Sequence, residues 1–465
     1  MSCERTESSR PLKSLFIVSI LIMATSCMSV QEREVSKPHE EAPVEDVYES
    51  IGNYVITGDI QGAIDAFETL NRENPDDPDT KNAYVKLLLA AGKLEEAAAI
   101  TADILEGDPD NIGALFNSAL LAGFSGEGEG RERYLLRVVE LDPAHADAHA
   151  LLGEFYLERK NYDAAEESFR ASLAADPGNL VSNSGLSRVL RLRGDNAGAL
   201  ERLDRVIEID PDFAFAWADR ASIRASAGDT AGAEDDYSRA IELAPGFSWH
   251  YLDRANLRIR GGRLREALSD LDEAITLDPN HFYGYILRAG VREDLEMRAG
   301  AIEDYLVVLE KKPDYHFAYE SLGKLLFLEE RWDEAEEMFL KAYPYARERY
   351  EFNLLAGICR LKQGKDAEGF LFERVNLIPR DDLLYHVGRV FLEPGYESMA
   401  IGKIQQEGDT PEGTRALFYL AEHFLLTGSE DTALRYFFEI EERNIRGLIE
   451  TAFAAGERKK ISDIP

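Results

Sequence analysis

Cysteine is scarce in this chain: three in 465 residues, Cys3, Cys27 and Cys359. Two lie at the extreme N-terminus and the third stands alone, so no disulfide framework is expected, and Cys359 reads as a small core residue. Positive charge is also in deficit, with 52 Lys and Arg against 87 Asp and Glu and a formal net charge of -35. Such a surface repels a phosphate backbone, which excludes general nucleic-acid binding, and the acidity serves instead to keep a long exposed array in solution. The apolar run from Leu15 to Ala24 falls short of the roughly 20 residues a membrane-spanning helix needs. Catalytic arrangements are missing too. The eight histidines are scattered, and neither a Ser-His-Asp grouping nor a His-Glu-x-x-His helix is present, so no enzymatic activity and no cofactor are expected.

What is abundant is regularity. Pro75, Pro109, Pro143, Pro177, Pro211, Pro245, Pro279 and Pro313 stand 34 residues apart. Between two such prolines the chain carries two apolar stripes of helical period. In the unit from Ala146 to Asn179 these are Leu152, Gly153 and Tyr156, then Ala165 and Phe169. Residues at i and i+4 share one face of a helix, and the small residues among them mark where two axes cross closely. Each unit therefore reads as two antiparallel helices, with the proline just beyond the second because it lacks the N–H a continuing helix needs.

Trp217, Ala221, Ala233, Tyr237, Ala240 and Pro245 repeat that pattern, as do Tyr319, Leu322, Gly323, Ala335, Phe339 and Ala342, where Arg347 takes the place of the proline. Period and pattern together resemble the tetratricopeptide repeat family. The resemblance implies an all-α fold, a right-handed superhelical solenoid of about eleven antiparallel helix-turn-helix repeats. Residues 45–349 are the regular array. Residues 350–465 are expected to hold divergent repeats, with Val387, Gly388, Phe391 and Ala400 in one and Ala421, Phe424, Gly428, Ala433 and Phe437 in another, closed by a capping helix.

The N-terminus speaks to location. Arg5, Arg10 and Lys13 precede the apolar run, the order of a signal peptide. The following Ala24-Thr25-Ser26-Cys27 resembles the bacterial lipoprotein signal, although Ala24 stands where Leu is usual. The resemblance implies removal of residues 1–26 and acylation of Cys27. A plain secretory signal and an uncleaved anchor are the alternatives, and either leaves the repeats outside the cytoplasm. Residues 27–44 are polar, contain proline and lack period, as a tether does. Met28 behind the cysteine, rather than Asp, favours the outer membrane over the inner.

Four aromatics hold one repeat position: Phe215, Trp249, Tyr283 and Phe317, at position 2 of successive first helices when the unit is numbered from Ala214. In the resembled family first helices line a concave groove. Stiff aromatic area in register then offers a track for a protein or peptide segment. The competing reading packs each ring against position 34 of a neighbouring repeat. A polar ladder keeps the same period: Arg220, Arg254 and Arg288, then Arg224, Arg258 and Arg292 one turn later, and Asp236, Asp270 and Asp304 on the second helices. Arg at 7 with Asp at 23 suits an internal forked pair, and one of the later arginines can face the groove. His145 and His149 have the i, i+4 spacing of metal ligands but equally suit helix caps. Gly126, Gly128 and Gly130 follow no strand and belong to a turn rather than a phosphate cradle.

The expected function is that of a non-enzymatic, lipid-anchored scaffold of the bacterial cell envelope that binds a protein or peptide, with no metal. Capture of a small apolar ligand for an envelope transport system is the alternative.

Overall fold

The computed structural model describes residues 60–73, 77–445 and 447–462. The signal region 1–26, Cys27 and the tether 27–44 lie outside the described residues. Within them the chain forms 24 α-helices, one 3-10 turn at Tyr343–Tyr345 and no strand. Numbered in order, they run from α1 (Ile60–Glu73) and α2 (Pro78–Ala90) to α24 (Ile449–Ser462). None of them is long and apolar enough to cross a membrane. The all-α stack of helical hairpins read from the period is the fold of the chain.

Three local devices repeat. The second helix of each regular unit leaves its last turn through an extended residue, as at Asp108, Asp142, Asp176 and Asp210. The proline that follows restricts this residue to extended backbone and cannot itself continue the helix. Two residues further on, a polar side chain caps the next first helix. The Asp77 carboxylate accepts from Thr80 N at 3.0 Å, Asn111 from Ala114 N at 2.9 Å, His145 Nδ1 from Ala148 N at 3.1 Å and Asn179 from Ser182 N at 2.9 Å. The turn inside each hairpin needs a left-handed residue. Glycine supplies it at Gly92, Gly126, Gly194, Gly228 and Gly262, whereas Lys160, Glu296 and Glu330 occupy the same slot with φ near +58°.

Close packing joins the helices. α6 (Ala146–Glu158), α7 (Tyr162–Ala175) and α8 (Leu180–Leu192) meet at Phe169, which is fully buried. A Cβ on Gly153 of α6 would stand 2.5 Å from that ring, and one on Gly185 of α8 would stand 2.2 Å from it. The ring thus lies against two bare backbones, one from its own hairpin and one from the next. Ala165, Ala199, Ala233, Ala267, Ala301 and Ala335, at position 20, are all fully buried for the same reason.

The chain divides into two compact units, residues 1–244 and 245–465. In the second, packing stops being purely sequential after α17 (Trp332–Ala342). α18 (Glu351–Lys362) packs on α22 (Pro411–Leu426), and α24 reaches back to α16 (Phe317–Leu328). There Phe453 stacks on Phe327 at 4.1 Å, and Phe418 of α22 lies 5.7 Å from Phe453. Cys359 is sealed in this core, and burial pushes its thiol up, out of reach of ordinary thiolate chemistry.

Two glycines separate packing from propensity. Gly185→Ala should cost about 1–3 kcal/mol through overpacking against Phe169. Gly290, in the interior of α14 (Phe282–Asp294), has open space where its Cβ would be, and Gly290→Ala should be neutral or gain up to about 1 kcal/mol. Urea denaturation of the two variants beside the wild type reads both signs.

Candidate partner-binding surface

Position 34, which carries the N-cap of the first helices from α2 to α14, changes character along the array. After Asp77, Asn111, His145 and Asn179 come Phe213, Phe247 and His281, none of which makes a side-chain cap hydrogen bond. Tyr315 follows at position 34, but α16 takes its N-cap one residue later, at His316, again with no side-chain cap bond. Losing a polar cap costs about 1 kcal/mol per helix. The same repeats are those with an aromatic at position 2, where the earlier ones have Asp79, Gly113, Asp147 and Val181. Rings at 34 and rings at 2 therefore arrive together.

In the first unit Phe215, on α10 (Ala214–Ala227), is half-buried with its ring 5.8 Å from Phe213. In the second unit the rings form a continuous series. Trp249, on α12 (Ser248–Arg260), lies 4.5 Å from His281, and His281 lies 6.3 Å from both Tyr283 and Phe282 of α14. Phe282 is 6.1 Å from Tyr315, Tyr315 is 5.7 Å from Phe317, Phe317 is 4.1 Å from His316, and His316 stacks on Tyr345 at 5.0 Å. Trp249 and Tyr283 are half-buried against the core of their hairpins. Phe317 is 51% exposed and Tyr345 54%. Packing against position 34 and presenting a face to solvent are thus two sides of one arrangement rather than alternatives. Burial holds the His281 imidazole below the ordinary histidine range, so it joins the series as a neutral ring at neutral pH.

His281, His316 and Tyr345 belong to the series although none of them stands at position 2. His281 interrupts the Phe and Tyr series at position 34, and Tyr345 lies in the short 3-10 turn that follows α17. Only contact in space brings them in.

The neighbouring position 4 has a structural duty. Trp217 Nε1 donates to the Pro211 carbonyl at 2.9 Å, and the hydroxyls of Tyr285 and Tyr319 donate to Pro279 and Pro313 at 3.3 and 3.0 Å. Asn183 donates to Pro177 at 3.1 Å, and His149 Nε2 pairs with Pro143 at 3.0 Å. His149 is therefore a turn clasp and His145 an N-cap. Among the described residues no group of acidic, histidine or cysteine side chains is arranged to hold a metal ion. Gly126 is the left-handed C-cap of α4 (Ile112–Ser125), ending a helix rather than cradling an anion.

The polar ladder is internal. Asp236 accepts two bonds from Arg220, at 2.9 and 2.7 Å, and a third from Arg224 at 2.8 Å. Asp270 does the same with Arg254, at 3.0 and 2.7 Å, and with Arg258 at 2.8 Å. Asp304 receives Arg288 and Arg292, the latter at 2.8 Å. All three carboxylates are buried. The expectation that one of the later arginines faces the groove gives way here: each is drawn to the same buried carboxylate, which keeps a lone pair for it. Third arms reach the preceding hairpin, Arg220 to Asp204 and Arg288 to Asp272, both at 2.7 Å.

Of two surface clefts, one of about 390 Å³ is lined mainly by charged residues, Glu129, Glu132, Arg133 and Glu140 among them, and one of about 410 Å³ is lined by Asp366, Glu368, Arg389 and Glu393 together with uncharged residues such as Phe372 and Leu392. The aromatic series lines neither.

Comparison with known proteins agrees with the hairpin geometry. Family models described as tetratricopeptide repeat match residues 54–119, 128–179 and 157–222. Over those residues the chain matches tetratricopeptide repeats. The DnaJ homolog subfamily C member 3 of Homo sapiens is 27% identical over 139 residues, covering 27% of this chain and 28% of that protein. The TPR repeat-containing protein YpiA of Bacillus subtilis (strain 168) is 24% identical over 180 residues, 38% of this chain and 43% of that one. This chain thus spans less than half the length of these relatives. Among solved structures, PilW, a type IV pilus biogenesis factor, is 20% identical with a TM-score of 0.42, covering 47% of this chain and 99% of its own. YrrB, a TPR protein with an unusual peptide-binding site, is 22% identical with a TM-score of 0.35, covering 42% and 97%. Tetratricopeptide proteins mediate protein–protein interactions and are typically non-catalytic.

Removing one buried acceptor tests the polar ladder. Asp270→Asn, which strands Arg254 and Arg258, should cost about 3 kcal/mol or more, whereas Glu266→Gln, at an exposed carboxylate 3.9 Å from Arg258, should cost under about 1 kcal/mol. Denaturant midpoints of the pair measure the difference.

Proposed function

We propose that the chain is a non-enzymatic scaffold, anchored by lipid at Cys27 in the bacterial cell envelope, that binds a protein or peptide segment on its position-2 aromatics. Trp249, Tyr283 and Phe317 supply the surface on the second unit, with Phe215 as their counterpart in the first. The observation that carries this reading is the exchange at position 34. Capping side chains that stabilise their helices are given up in the repeats where position 2 turns aromatic, and the resulting ring series keeps half-exposed faces. Stability sacrificed for exposed, stiff aromatic area is what a binding surface requires and a purely structural repeat does not. Residues 350–465 close the array as divergent repeats and a capping helix, and the acidic surface selects against anionic partners.

The anchor rests on the charged region, apolar run and Ala24-Thr25-Ser26-Cys27 of the N-terminus, with Met28 favouring the outer membrane. A lipid-modified cysteine carrying more than one chain holds a protein firmly where a single chain is marginal. Cys27→Ala should move the protein from the membrane pellet to the soluble fraction in fractionated cells; retention in the pellet rejects lipid anchoring at this residue.

Crosslinking in intact producing cells, followed by mass spectrometry, compares wild type with a Trp249→Ala, Tyr283→Ala double variant at matched level. Loss of a specific protein partner, with a melting temperature lowered by only a few degrees, is the expected outcome. An unchanged partner set, or a collapse of stability, rules out binding on these rings.

A further inference from the structure

The terminal helix α24 is seated through carboxylates as well as apolar side chains. Glu450 and Glu457 stand two turns apart on one face of it, and both are buried beside Phe453 and Ala454. Glu457 lies 3.2 Å from Lys362 Nζ of α18, and the same ammonium lies 3.0 Å from Glu422 of α22. The side chains of Lys362, Glu422 and Glu457 are 9%, 0% and 7% exposed. One sealed cation therefore serves two sealed carboxylates, and Glu422 Oε1 makes no hydrogen bond. Lys460, also on α24, comes within 3.3 Å of Glu457 but is partly exposed and shared with Glu330.

At the other end of the helix Glu450 sits 3.5 Å from Arg415 Nε and accepts from the Tyr419 hydroxyl at 3.2 Å, both on α22. Glu351 of α18 crowds the same guanidinium at 3.9 Å and pairs with Arg349 at 2.8 Å. Other ion pairs on the elements around α22 lie apart from these two groups. Glu397 of α21 (Glu397–Glu407) pairs with His423, Arg389 of α20 (Leu383–Val390) with Glu393, and Arg443 of α23 (Glu430–Arg443) with Glu439 and Asp409.

Two carboxylates held out of water beside one cation cannot both ionise cheaply. We propose that α24 is a proton-dependent latch: seated while Glu422 and Glu450 hold protons, it loosens as pH rises through neutrality and those acids ionise within the sealed interface. Burial raises both from an ordinary 4.5 to about 7, against the lowering influence of Lys362 on the first and Arg415 on the second. With the helix undocked, water reaches these acids and they ionise near their ordinary value. Between those two values the docked form binds more protons than the undocked one. The stabilisation of docking is therefore fully present below about 4.5, is lost as pH rises through about 7, and is level above that. Opening uncovers Phe327 and Phe418, which Phe453 covers in the seated state.

Hydrogen exchange of the full chain at about pH 5.5 and about pH 8.5, with amide rates normalised for intrinsic exchange, tests the latch, each acid that ionises contributing roughly a thirtyfold loss of protection. The expected result is a loss of that order or greater in α24, with α6 to α8 unchanged. In a Glu422→Gln, Glu450→Gln double variant, α24 should stay protected at the higher pH. Equal protection of α24 in the wild type at both values overturns the proposal, as does an equal loss throughout the chain. A folded double variant that keeps the wild-type pH dependence also overturns it. Should the double variant fail to fold, Glu422→Gln alone must reduce the dependence, and an unreduced one has the same force.

Discussion

An aromatic ring laid against bare backbone is the contact on which the stack depends. Phe169 fills the space left by Gly153 and Gly185, so one side chain both closes its own hairpin and joins the next. Axes can approach that closely only where no Cβ intervenes, and a buried alanine at position 20 keeps the same spacing in the hairpins from α7 onward. Because each hairpin leaves one face uncovered, the next hairpin is needed to bury it, and stability accumulates by addition. Proline at the end and a left-handed residue in the middle then set where each helix may stop.

Polar groups were fitted into this frame rather than added on its surface. Buried Asp236, Asp270 and Asp304 would be costly alone, but each gathers two arginines, one giving two parallel bonds. The position-4 side chains reach back to the proline carbonyl, which no helix bond can satisfy. These contacts absorb nearly every conspicuous charged or histidine residue of the array, including His145, His149 and the later arginines. What they leave over is the aromatic series from Trp249 to Tyr345, for which internal packing accounts only in part. The last helices use charge differently: there acids outnumber the cations that meet them, so protons become part of the structure.

The period, the hairpins and the internal Arg-Asp pairs could be read from the amino-acid order, because helical spacing and helix stops are local properties of the chain. The capping duty of position 34 is local too, since Asp77, Asn111 and Asn179 are ordinary N-cap residues, whereas the ring contacts that replace it at Phe213 and His281 are not. That Trp249, His281, Tyr283 and Tyr345 belong to one series was not legible, since ring contacts join residues on different helices. The same holds for Lys362, Glu422 and Glu457, three charged residues spread over 96 positions that look like solvated helix faces in the sequence.

By itself, then, the sequence determined that the chain forms paired helices in a 34-residue repeat, since each unit restates the same propensities, caps and stops. Only the tertiary structure decided which charges are sealed, which rings meet and where the last helix returns to α16, because burial and proton affinity are properties of neighbours brought together from distant repeats.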